Sequence, residues 1–123
     1  MDIEARTDEF FRATAEQDWD AFFAAFAPGA TVKHNYGQEQ GVPETASFLQ
    51  LLATRGISIS YENARRVVGA DALVEQHDVR MRRADGVEAV LDVAVVLRFD
   101  EHGLITRLDE YVDPAGAAPL FAR

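Results

Sequence analysis

The sequence predicts an α+β fold, with helices packed on one face of a curved antiparallel sheet. Helical spacing of apolar residues is confined to the first half of the chain, and alternating strand-like runs fill the second half. That segregation is the signature of α+β organisation. The length of 123 residues, with 48% hydrophobic and 27% charged residues, fits one domain over residues 1–123 with one core.

The elements follow in order. Ile3 to Glu16 carries Phe10, Phe11 and Ala13 among charged positions and reads as a helix. Asp18 suits the N-cap of a second helix, in which Trp19, Phe22, Phe23 and Phe26 form an apolar stripe assigned to the core. Pro28-Gly29 ends that helix, and Ala30 to Tyr36 is a short strand. Pro43 fits the first turn of a third helix and Gly56 its C-terminal cap. Long strands then run over Ile57 to Val68, Leu73 to Arg83, Val87 to Phe99 and Leu104 to Val112. Asp85-Gly86 is a hairpin signal, and Asp100 to Gly103 makes the next turn. Leu120 and Phe121 predict that the tail, Asp113 to Arg123, docks on the domain.

Composition narrows the function. A net charge of −9 argues against a nucleic-acid or anionic-membrane partner. There is no cysteine, hence no disulfide, thiolate metal site or cysteine nucleophile. The acidic start Met1-Asp2-Ile3-Glu4 has no signal-peptide pattern, so a cytoplasmic location is expected. No glycine-rich phosphate loop, His-Glu-x-x-His or Gly-x-Ser-x-Gly motif occurs, and neither a cofactor nor a metal is expected.

The chemistry is sought in two strand faces. Val90, Asp92, Ala94 and Val96 share one face of the third long run; Leu108, Glu110 and Val112 share one face of the fourth. Each face is apolar apart from a central carboxylate, which is costly to bury unless paired or protonated. With a two-residue turn at Asp85-Gly86, Ala84 faces Val87, Val79 faces Asp92, and His77 lies diagonally from Asp92. For the last hairpin a four-residue turn sets Glu110 opposite Val93, and a one-residue shift sets it opposite Asp92. The shifted register is favoured because it turns the more apolar face inward. Val93, Val95, Leu97 and Phe99 are then left outside, and covering them predicts a homodimer through the sheet face.

The order of elements resembles the nuclear transport factor 2-like superfamily, whose members wrap a curved sheet over three helices as a cone. The resemblance covers nearly the whole chain. It is carried by Asp18 to Ala30, by the glycine-bearing loop and helix from Gly37 to Leu52, and by Arg98 to Asp113, which is similar to the superfamily's terminal strand. The superfamily includes ketosteroid isomerases, limonene-epoxide hydrolases, scytalone dehydratases and SnoaL-type polyketide cyclases. The resemblance implies that His34 stands where the isomerase has its carboxylate base, and that Glu110 stands where the hydrolase has a water-activating aspartate. The hydrolase's arginine and second aspartate correspond to His77 and Val79, so its Asp–Arg–Asp set is broken. Phe10 and Phe11 occupy the helix region of the isomerase's tyrosine.

These readings converge on a SnoaL-like enzyme for a small apolar organic molecule, using cofactor-free proton transfer for isomerisation, cyclisation, dehydration or hydration. His34 or Asp92 is the expected base, Glu110 the expected acid, and His77 an orienting or charge-stabilising group. Tyr36, Val79, Ala94, Leu108 and Trp19 are expected to line the pocket, with Tyr36 and Tyr61 as candidate hydrogen-bond donors. The alternatives are a ligand-binding or dimerising scaffold of the same fold and a protein-interaction domain.

Overall fold

A computed structural model describes residues 2–122; Met1 and Arg123, the outermost residues of the two terminal runs, lie outside it. Helix α1 spans Ile3–Glu16 and is capped by Asp2, whose carboxylate accepts from Ala5 N at 3.0 Å. It buries Ile3, Thr7, Phe10, Ala13 and Thr14, the single stripe expected of a helix on a sheet. Thr7 and Thr14 are tolerated there because each hydroxyl donates to the carbonyl four residues back, Ile3 at 2.7 Å and Phe10 at 2.9 Å.

Helix α2 is Trp19–Ala24, capped by Asp18 through Ala21 N. It ends earlier than the apolar stripe predicted. Pro28 disfavours helical geometry at Ala27, and Phe26 already begins strand β1, Phe26–His34. Phe22 and Phe26 enter the core, while Phe23, 43% exposed, does not. Pro28-Gly29 therefore lies within β1, where the register slips between Phe26 and Thr31 and Gly29 has φ +77°. A two-residue strand β2, Gln40–Gly41, leads into α3, Val42–Thr54, with Pro43 in its first turn.

The long strands are β3 (Ile57–Val68), β4 (Ala72–Arg83), β5 (Glu88–Phe99) and β6 (Ile105–Val112). The six-stranded sheet has the order β2-β1-β6-β5-β4-β3. All pairs are antiparallel except β1 with β6, so the sheet is mixed rather than purely antiparallel. The helices cover one face of this open, curved sheet, and the core lies between. The tail docks as predicted. A short turn, Pro114–Ala117, and helix α4, Ala118–Phe121, bury Leu120, while Arg83 donates to the carbonyls of Leu120 (3.0 Å) and Ala122 (3.1 Å). No helix among the described residues is long and apolar enough to cross a membrane.

Registers differ from those predicted, and the reason is local. The β4–β5 loop holds three residues, Ala84, Asp85 and Gly86, closed by Arg83 N–H to Val87 O at 2.8 Å, with Gly86 at φ +95°. Asp-Gly thus fills the last two places of a three-residue bulged turn instead of both places of a two-residue one. Val79 consequently faces Leu91, His77 faces Val93, and Asp92 faces Asp78. In the β5–β6 hairpin the register shifts again between Arg98 and Phe99, and Glu110 pairs with Val95. The face Leu91, Val93, Val95, Leu97 is therefore the core face, and Val90, Asp92, Ala94 and Val96 form the outer one.

A polar row across an apolar cavity

A cavity of about 310 Å³ lies between the sheet and the helices. Its wall is mostly apolar. Phe10, Phe11 and Phe22 come from the helices, and Phe26, Val32, Val79, Val93, Val95 and Leu108 from the sheet. This volume falls in the range of small-molecule sites. Tyr36, Phe48 and Phe121 also line it but are each about half exposed, which places the mouth among them. Pro114, Ala117 and Phe121 bring the tail over the chain's own cavity.

Strand pairing sets one row across the inner face of the sheet, of which His34, Glu110 and Val95 line the cavity and Glu75 and Arg66 do not. His34 on β1 pairs with Glu110 on β6, Glu110 with Val95 on β5, Val95 with Glu75 on β4, and Glu75 with Arg66 on β3. Adjacent strands stand ~4.8 Å apart, so the backbones of Glu110 and Glu75 are roughly 10 Å apart.

At the outer end of the row, His34 Nε2 lies 3.5 Å from Glu110 Oε2. Their side chains retain 19% and 27% of their exposure, so water reaches both. The Tyr36 ring sits 5.4 Å from the His34 ring. Burial and the nearby Glu110 charge push the Tyr36 hydroxyl's pKa up, keeping it a proton donor.

At the inner end, Glu75 Oε2 accepts from His77 Nδ1 at 2.5 Å, and Glu75 Oε1 accepts from Arg66 Nε at 2.6 Å. Arg66 in turn donates to Asp8 Oδ1 of α1 at 2.6 Å. Both members of the Glu75–His77 pair are almost fully buried, at 2% and 1% side-chain exposure. Burial acts to raise the Glu75 pKa, but the hydrogen bonds from His77 and Arg66 outweigh it and hold the carboxyl below its usual range. Tyr61 and Phe11 pack on the His77 ring with centroids 4.9 Å and 5.0 Å away. Burial, then the charges of Glu110 and Glu75, drive the Tyr61 pKa far up, so its hydroxyl stays protonated.

Of the residues expected to act, the cavity therefore brings in His34, His77 and Glu110 but not Asp92. Asp92 is on the outer face opposite Asp78, because the three-residue turn inverts that face of β5. Ala94 leaves the wall for the same reason. Tyr36, Val79 and Leu108 do line it. Trp19 does not: it packs against Phe22 at 5.7 Å and borders a separate small crevice with Leu49, Ala53 and Ile57. Glu75 and Arg66 were not anticipated. The alternation Leu73-Glu75-His77-Val79-Met81 contains the signal for Glu75, since His77 and Val79 fix the inward parity. Among the described residues no group of three or more His, Asp or Glu is arranged to hold a metal ion.

The architecture has many solved counterparts. A candidate polyketide cyclase from Xanthomonas campestris is 20% identical, with a TM-score of 0.80 over 92% of this chain and 91% of that one. An epoxide hydrolase of Mycobacterium tuberculosis, similar to limonene-epoxide hydrolase, is 18% identical, with a TM-score of 0.79 over 98% of this chain and 92% of that one. A nuclear transport factor 2-like protein of unknown function from Burkholderia pseudomallei is 19% identical, with a TM-score of 0.79 over 99% and 100%. At such identities the likeness establishes the fold alone. A search of curated proteins gives no match. The SnoaL-like domain is matched over residues 7–108, which is most of the sequence, and the chain belongs to that family.

Proposed function

We propose that this protein binds a small, largely apolar organic molecule and moves a proton on it without a cofactor, as an isomerase, cyclase, dehydratase or hydratase would. The observation that carries this reading is the His34–Glu110 pair, 3.5 Å apart in an otherwise apolar wall. An imidazole and a carboxylate at that distance are both proton-transfer groups and face the same part of the cavity. The pair can give or take a proton at a polar group of a ligand bound there. The apolar wall supplies binding energy through buried surface and strengthens each polar contact inside. The structural neighbours named as a polyketide cyclase and an epoxide hydrolase fit a small-molecule site in this fold.

The test is a screen of neutral bicyclic ketones, starting with 2-tetralone, by thermal shift and by product analysis in buffer alone. A ligand at a hundred times its Kd stabilises by ~2.7 kcal/mol, so a saturable rise in Tm is expected together with turnover. Binding without any turnover would favour a ligand-binding module of the same fold. No binding by any member of the class would end the reading.

We also infer a homodimer through the outer sheet face, on grounds different from those the sequence offered. The face expected outside is the core. The true outer face nevertheless carries Val67, Val74, Val90 and Tyr111, all exposed on adjoining strands. Sedimentation at micromolar concentration is expected to report a dimer, and Val74→Lys a monomer; a wild-type monomer would contradict it.

A further inference from the structure

We propose that the cavity selects a cation: an organic amine bound as its ammonium, with the charged nitrogen against the Glu110 carboxylate and the apolar frame among the aromatic rings. This rests on the reading of the cavity as a ligand site and deepens it by fixing the charge of the ligand.

The wall carries one carboxylate and no fixed positive charge. Among the described residues that line it, Glu110 is the one acidic side chain, and there is no lysine or arginine. The basic residues of the two strands beside Glu110 are engaged elsewhere. Lys33 on β1 donates to the carbonyls of His34 at 2.9 Å and Gly37 at 2.6 Å, and Arg107 on β6 pairs with Asp109 at 2.8 Å. Arg66 is tied to Glu75 and Asp8 and does not reach the wall. Glu75 therefore has its counter-charge, and Glu110 has no such partner. The basic atom beside Glu110 is His34 Nε2, 3.5 Å away, and among the described residues no hydrogen bond reaches the carboxylate oxygens. At 27% side-chain exposure those oxygens are open to water.

The rest of the wall suits a cation. Six phenylalanine and two tyrosine rings line it, and the negative faces of such rings attract an ammonium. The two threonines in the wall are already committed, Thr14 donating to Phe10 O at 2.9 Å and Thr45 to Gly41 O at 3.2 Å. The Glu110 charge reaches the hydroxyls of both Tyr36 and Tyr61, where it adds to burial in opposing the phenolate form. A field that opposes a phenolate opposes other anions in the same space and favours cations.

Desolvation sharpens the choice. A ligand that fills the cavity displaces water from Glu110. A ketone oxygen offers the carboxylate no donor and leaves a charged acceptor unsatisfied, whereas an ammonium N–H takes the place of the water. A carboxylate or phosphate ligand meets a like charge with no guanidinium to offset it. The net charge of −9 extends the same preference outside the cavity. The ammonium lies towards the mouth, where Glu110 and the half-exposed Tyr36 stand. The frame points inward to Phe10, Phe22 and Phe26, whose ring centroids are 5.3 to 5.6 Å apart. The class is thus a monoamine whose apolar frame fits about 310 Å³.

Three probes share one bicyclic frame and differ in charge: 2-aminotetralin, 2-tetralone and tetralin-2-carboxylate. Titration calorimetry at pH 8 ranks them, since an alkylammonium keeps its proton to about pH 10. The amine is expected to bind roughly tenfold tighter than the ketone, and the carboxylate roughly tenfold more weakly than the ketone. Glu110→Gln should weaken the amine roughly tenfold and change the ketone by less than about twofold. Asp92→Asn removes the same charge from the outer face and should keep the wild-type ranking.

An amine that binds no tighter than the ketone, or a carboxylate that binds as tightly, would overturn the inference and leave the cavity a site for neutral ligands. The same holds if Glu110→Gln keeps the wild-type preference, or if Asp92→Asn loses it as fully as Glu110→Gln. No binding by any of the three would sink both this inference and the reading on which it rests. Should Glu110→Gln fail to fold, the Glu110 carboxyl carbon resonance of wild type is read instead. It is expected to move further on saturation with the amine than with the ketone, and a resonance that the amine leaves in place would contradict the assignment.

Discussion

Glu75→Ala should be the most destabilising single change outside the aromatic core. It leaves Arg66 and His77 facing a void, and removing one partner of a buried ion pair costs about 3–5 kcal/mol. In a chain of this size that lowers Tm by more than about 10 °C. Urea titration at pH 7 measures it, with Glu9→Ala as the contrast. Glu9 also pairs with an arginine, Arg12, but both lie in water, where such pairs contribute little. The pH dependence has a definite sign. The Glu75 carboxyl sits below its usual value of 4.5 in the folded protein. Its contribution is thus complete above the unfolded value and is lost as pH falls through the lower folded one. Stability measured between pH 5 and 3 should fall less steeply in Glu75→Gln than in wild type. Parallel curves would show that the Arg66–Glu75–His77 chain is not stabilising the fold.

Glu110→Gln and His34→Ala should carry the largest effects on chemistry. Each removes one member of the pair proposed to transfer the proton near the mouth of the cavity. General acid–base groups typically contribute 10²–10⁴-fold, and a loss of roughly 100-fold is expected for each, with ligand affinity changed far less. The double variant should lose about as much as either single one, because the two residues act on one proton. Additive losses would mean that they serve different steps. Glu110→Gln keeps the side-chain shape and is the cleaner test, while His34→Ala also removes the ring against Tyr36.

The same residues show where the sequence stops informing. Alternation identified β3 to β6 almost to the residue, because one face of each packs on the helices and every second side chain must be apolar. Register is another matter. Asp85-Gly86 satisfies a two-residue turn and a three-residue bulged turn equally well, since both need glycine at positive φ. One residue of difference moves Asp92 and Ala94 to the outer face. Glu110 still points inward, because the β5–β6 bulge between Arg98 and Phe99 reverses its partner face a second time. The two slips cancel for Glu110 and not for Asp92. Arg66 was hidden in a similar way. Strict alternation from the inward Tyr61 sends residue 66 outward, but Asn63, at φ +57°, begins a bulge that inverts the parity and brings Arg66 beneath α1. The parallel pairing of β1 with β6 has no local signal, since it joins segments more than 70 residues apart. Glu75 alone was legible and passed over.

Deuterium exchange at the carbon beside the carbonyl of 2-tetralone, followed by proton NMR in D2O at neutral pD, tests the central claim most directly. It requires only that a bound ketone lose a proton and regain a deuteron, with no knowledge of the natural substrate. The account predicts saturable acceleration over buffer that Glu110→Gln reduces roughly 100-fold. Saturable binding of the ketone with exchange no faster than in buffer would contradict proton transfer in this cavity and leave a binding domain of the SnoaL-like family.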